Sequence, residues 1–97
     1  MEINRGEFKV IKVDGTEVMF SEKPSISKIQ REIGCECCDS VTLDRKKGII
    51  MMCDDTGMLD RKPVNEKATA LARKAFGQQY PYSIHGNVAI VNGEDFA

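Results

Sequence analysis

Nowhere does this sequence hold the about 20 consecutive apolar residues that a membrane-spanning helix needs. Its opening, Met1-Glu2-Ile3-Asn4-Arg5-Gly6-Glu7, also lacks the apolar segment of a secretory signal. Both absences point to an intracellular, cytoplasmic protein with no membrane partner. Charge of one sign is missing as well: 14 basic residues against 15 acidic ones leave a net charge of −1 and a pI of about 5.8. Proteins that bind nucleic acid by neutralising phosphates carry a basic stripe and a high pI, so nucleic acid is not the expected partner. The short clusters Arg45-Lys46-Lys47 and Arg61-Lys62 fall in turns and read as solvated. Histidine occurs once, as His85, and no signature joins it to a cysteine as a nucleophilic pair. The phosphate-loop and dinucleotide-binding glycine patterns are absent, as is the Asp-x-Asp-x-Asp-Gly ladder of a calcium loop around Asp54, Asp55 and Asp60. No internal repeat, low-complexity tract or linker interrupts the chain. With no complete catalytic or nucleotide-cradling constellation, the sequence reads as non-enzymatic and without a cofactor.

What is present is a foldable chain of 97 residues, 41% hydrophobic and 30% charged, which suits one small domain over 1–97 with an ordered core of about 8–92. A domain of this size buries only about two-thirds of its extended-chain surface, which leaves a role for a homodimer interface.

The β-branched run Phe8-Lys9-Val10-Ile11-Lys12-Val13, the turn Asp14-Gly15 and the run Thr16-Glu17-Val18-Met19-Phe20 predict an antiparallel hairpin. Ile26, Ile29 and Ile33 then recur at helical spacing, with Ser21 or Ser25 as cap and Gly34 as terminator, predicting a short helix at about 25–33. Residues 35–43 and 49–54, joined by Asp44-Arg45-Lys46-Lys47-Gly48, read as a second hairpin, whose apolar run Ile49-Ile50-Met51-Met52-Cys53 suits a strand buried on both faces. Past the Asp55-Thr56-Gly57 turn and Pro63, Asn65 caps a helix that Gly77 ends, with an expected apolar stripe of Val64, Ala68, Leu71 and Ala75 widened by Ala72 and Phe76. A last strand runs from about Ile84 to Val91, with Gly86 marking a bulge or a close backbone approach. The expected fold class is α+β, in the order ββαββαβ, with an antiparallel or mixed sheet packed by two helices.

Four cysteines invite a site, because Cys35-Glu36-Cys37-Cys38 contains a C-x-x-C spacing and Cys53 could add a thiolate. A small zinc- or thiol-containing protein using Cys35, Cys37, Cys38 and Cys53 is thus the alternative function. Strand alternation opposes it, since Cys35 and Cys37 would share one face and Cys38 the other unless the strand is bulged or has not yet begun. Cys53 should sit opposite Asp39 or Ser40. Dithiol redox chemistry has a further obstacle: the motif follows a helix C-terminus, where the helix dipole disfavours a thiolate. Thiols packed as small apolar groups are the simpler reading, with no metal bound.

For ligand or partner binding the candidates are Asn65 and Thr69 at a helix start, where free amides attract anions, and Tyr80, Tyr82 and His85 on the longest loop. Two tyrosines flanking Pro81 have the composition of a contact surface. Capping of its own helix by Asn65 competes with the ligand role.

The chain resembles a family of small proteins of unknown function, about 100 residues long, found in phages, plasmids and bacteria rich in mobile elements. The resemblance rests on Phe8-Lys9-Val10-Ile11-Lys12-Val13-Asp14-Gly15, Ile33-Gly34, Asp55-x-Gly57-Met58-Leu59, Pro63-Val64-Asn65 with Ala68-Thr69-Ala70-Leu71, Ile84-x-Gly86-x-Val88 and Asp95-Phe96, and covers roughly residues 8–96. It implies an accessory binding module acting on a host protein or small ligand, and it carries over no catalytic residue. The cysteine cluster departs from the pattern expected of most members.

Overall fold

The first hairpin forms where the sequence places it: β1 (Phe8–Ile11) pairs antiparallel with β2 (Glu17–Phe20), Val10 opposite Val18. In the computed structural model, which describes residues 2–57 and 60–96, the chain continues through α1 (Ile26–Ile33), β3 (Cys38–Asp44), β4 (Ile49–Asp54), α2 (Glu66–Phe76) and β5 (Val88–Asn92). Met58 and Leu59 of the resemblance motif lie outside the described residues. A short 3-10 turn, Gly93–Phe96, closes the described chain and is an addition to the expected element order.

Both helices take the caps their sequences offer. The Ser25 hydroxyl, not Ser21, accepts from the Lys28 amide, and Gly34 ends α1 in the left-handed region at φ 72°. At α2 the Asn65 side chain accepts from the Ala68 amide, and Gly77 follows the last turn. The last strand is shorter than expected. Residues 84–87 approach it with one bridge, Val64 to His85, and a bend at Gly86, where φ is 85°, and pairing starts at Val88.

The five strands form one sheet in the order β2-β1-β5-β4-β3, antiparallel at every pairing. The last strand in sequence therefore sits in the middle. Alternation divides the sheet into two faces. Ile11, Ile49, Met51, Cys53, Val88 and Ile90 join Ala68 and Ala72 of α2 in one core cluster. Phe8, Val10, Met52, Ala89 and Val91 join Ile29 and Ile33 of α1 in the other. One helix thus covers each face, and β4 and β5 are buried on both sides, as the unbroken apolar run in β4 requires.

The buried stripe of α2 is rotated from the expected one. Ala68, Thr69 and Ala72 are buried and Leu71 packs beside them, whereas Ala75 is exposed, Val64 is 36% exposed and Phe76 is 56% exposed. Small residues at the contact let the helix lie close to the sheet.

Candidate functional site

On the α2 face, between the edge strand β3 and the loop after α2, lies a groove of about 330 Å3. Asp39 and Val41 from β3 and Cys53 from β4 form one wall, and Tyr80, Tyr82 and His85 form the other. The β3–β4 register brings the first three together by setting Cys53 opposite Asp39, one of the two partners expected from the sequence. Tyr80 stacks on Phe76 at 5.5 Å between ring centroids, and Tyr82 meets Tyr80 edge-on at 5.5 Å. Such offset and edge-on pairs hold aromatic rings in place. Tyr82 is 61% exposed and supplies the rim. Among the described residues the lining holds three aspartates, Asp39, Asp54 and Asp55, and no lysine or arginine.

Three of the five candidate residues, Tyr80, Tyr82 and His85, therefore share one groove. Asn65 and Thr69 are instead placed inside the protein. Asn65 is fully buried: its Nδ2 donates to the Ile11 carbonyl at 3.0 Å and the Gly86 carbonyl at 3.0 Å, while its Oδ1 accepts from Ala68. The Thr69 hydroxyl, also buried, accepts from the Ile84 amide at 2.9 Å. These two residues hold the 84–86 segment against α2 and so position His85 rather than lining the groove. Asp39 and Val41 are lining residues that sequence reasoning missed, and Cys53, a candidate there only as a metal-ligating thiolate, joins them; the hairpin register is the signal that could have found the grouping.

His85 Nδ1 lies 2.7 Å from the Lys62 carbonyl. A carbonyl only accepts, so His85 donates this bond through a proton on Nδ1. The Cys53 thiol donates only a long bond, 3.8 Å, to the Asp39 carbonyl. Burial above all, then the charge of Asp39, pushes that thiol up to about 11, away from nucleophilic use. Among the described residues no hydrogen bond joins Cys53 to His85. The Tyr80 hydroxyl is likewise held above its ordinary value, first by burial.

Gly57 presses on the back of this segment. A Cβ there would meet the His85 carbonyl oxygen at 2.9 Å, so close backbone approach rather than a turn conformation demands glycine. Lys62, expected as a solvated turn residue, reaches across the edge of the domain. Its ammonium lies 2.6 Å from the buried Asp54 carboxylate and 2.6 Å from the Gly34 carbonyl. Burial alone would raise the Asp54 carboxyl, but hydrogen bonds from Lys62 and Thr56 outweigh it and hold the group below its ordinary range.

The four cysteines do not converge on one point. Cys53 lies in the α2-side core, whereas Cys35 and Cys38 pack against the α1-side core, and Cys37 is exposed. The sheet itself separates them, which corrects the reading of a four-thiolate centre. Among the described residues no group of three or more His, Cys, Asp or Glu side chains is arranged to hold a metal ion. Cys35 and Cys38 nevertheless meet at 3.1 Å, because β3 starts only at Cys38 and residues 36–37 form a bend, so strand alternation does not part them. No helix among the described residues is long and apolar enough to cross a membrane.

The fold and groove place the chain among small α+β domains in which an antiparallel sheet carries one helix on each face. Within that class, the chain belongs to the family described as a domain of unknown function, DUF3846, whose profile matches residues 4–97. Comparison with curated proteins and with solved structures gives no match.

Proposed function

We propose that this protein is a non-enzymatic binding module whose groove takes a basic segment of a partner protein. The carrying observation is the pairing of aromatic rings with acidity: the half-buried Tyr80 and the exposed Tyr82 stand over a lining that includes Asp39 and Asp55 and, among the described residues, no lysine or arginine. A guanidinium or ammonium group gains from both features, through the ring faces and through the carboxylates. Asn65 and Thr69 serve this site by fixing its back wall. The resemblance to proteins of phages and mobile elements extends the reading to an intracellular accessory protein acting on a host protein.

The test is a two-dimensional NMR titration of labelled protein with an acetylated, amidated tri-arginine peptide and with its tri-glutamate counterpart. The expected result is shifts concentrated at the amides of Asp39, Tyr82 and His85 with the arginine peptide alone. Tyr82→Ala, at an exposed position, should weaken binding about two- to fivefold while preserving the fold. Equal responses to both peptides, or shifts spread evenly over the molecule, would overturn the reading.

A further inference from the structure

On the opposite face of the sheet lies a pair of thiols that the groove does not use. Cys35 and Cys38 approach to 3.1 Å. A disulfide needs a sulfur separation of about 2.05 Å, so closure asks for a further approach of only about 1 Å.

The backbone carrying the pair is held on every side. The Cys35 amide donates to the Gln30 carbonyl at 3.0 Å, and the Gln30 side-chain amide donates to the Glu36 carbonyl. The Lys62 ammonium donates to the Gly34 carbonyl at 2.6 Å, the Asp55 amide donates to the Cys37 carbonyl at 3.3 Å, and Cys38 is paired with Asp54. With residues 34–38 tethered to α1, to β4 and to the Lys62 strap, the two sulfurs keep their juxtaposition without a bond between them. Cys37, one residue away, is exposed and outside the pair.

We propose that Cys35 and Cys38 form a dithiol modification site that closes to a disulfide by exchange with a small-molecule disulfide, stapling the end of α1 to the start of β3. The Cys38 thiol loses its proton to solvent and attacks one sulfur of RSSR, forming the Cys38–SR bond and expelling RS−. Cys35 transfers its proton to that RS−, and its sulfur attacks Cys38, forming the intramolecular bond and expelling the second RS−, which takes a proton from solvent. Two protein thiols are oxidised and one RSSR is reduced to two RSH. Burial, and next the contact with Cys38, push the Cys35 thiol up to about 12, which disfavours it as the first attacker.

Oxidised glutathione is the probe, with free thiols trapped by N-ethylmaleimide in denaturant and bonded cysteines located by peptide mass mapping. The intact protein should lose two trappable thiols and two hydrogen atoms of mass, with the bond mapped to Cys35 and Cys38. Cys37→Ser, a change at an exposed position, should close equally well, and Cys35→Ser should accumulate glutathione on Cys38. Glutathione held stably on Cys37 with Cys35 and Cys38 still free, or a bridge that includes Cys37, would overturn the proposal. Should Cys35→Ser not fold, the bond map of Cys37→Ser decides alone.

Discussion

Asn65 shows how much of this structure can pass through one amide. It caps α2 and ties the Ile11 and Gly86 carbonyls to that cap. Asn65→Ala removes the cap and strands two buried carbonyls, so it should destabilise the protein by about 2–4 kcal/mol in urea unfolding. Asn65→Asp keeps the capping acceptor but sets a buried carboxylate oxygen against the Ile11 and Gly86 carbonyls, so it should be at least as destabilising. From sequence the residue type favours a cap and leaves an anion site as the lesser alternative. Burial, which only the folded chain defines, separates the two roles. Asp54 and Lys62 form the second pair of residues with a measurable signature. The folded Asp54 carboxyl sits below its unfolded value, so its contribution to stability is present above pH 4 or so and is lost as pH falls through the folded value. Lys62→Met leaves Asp54 buried without its cation and should cost roughly 2 kcal/mol at pH 7, below the fully buried range because the Lys62 side chain keeps 25% exposure. The difference between variant and parent should shrink as acid unfolding is followed below pH 4. Nothing in the Arg61-Lys62 dipeptide separates a solvated lysine from one that reaches a carboxylate eight positions back.

At the scale of elements, the helices are where local sequence speaks most directly. Ser25, Gly34, Asn65 and Gly77 each stand at the boundary that their chemistry marks. Gly34→Ala tests one boundary alone, since φ there is 72° and a Cβ would meet nothing within 4 Å. The expected loss is about 1 kcal/mol, read as a lowered urea midpoint with an unchanged slope. A larger loss would mean that the bend at 35–37 depends on the cap as well. The face that α2 buries was less legible. Helical periodicity permits either a stripe through Val64 and Ala75 or one centred on Ala68 and Ala72. Packing chose the second, because two alanines and Thr69 let the helix approach the sheet closely, and Phe76 was then left for the aromatic stack with Tyr80. The start of β3 was read three residues too early, at Cys35. Residues 36–37 bend, and that shift decides whether Cys35 and Cys38 face apart or meet.

At the scale of the whole molecule, β5 enters between β1 and β4, pairing Val10 with Ala89 and Met52 with Ala89 on its two sides. Its amides are covered by both neighbouring strands and by both helical layers. In native-state hydrogen exchange β5 and β4 should therefore be the most protected segments, while the edges β2 and β3 exchange earlier. Protection greatest in β1–β2 would contradict the sheet order. The same placement explains why the groove and the dithiol lie on opposite faces: β3 and β4 send Asp39 and Cys53 to the α2 side and Cys38 to the α1 side. The sequence by itself determined the two helices with their Asn65, Gly34 and Gly77 boundaries, the two antiparallel hairpins and the double-sided burial of β4, because turns, caps and periodicity act between residues a few positions apart. Only the tertiary structure decided the central place of β5, the division of the cysteines and the internal use of Asn65 and Thr69. Those outcomes depend on which distant segments bury which faces together, and that choice is made by packing the whole sheet between two helices.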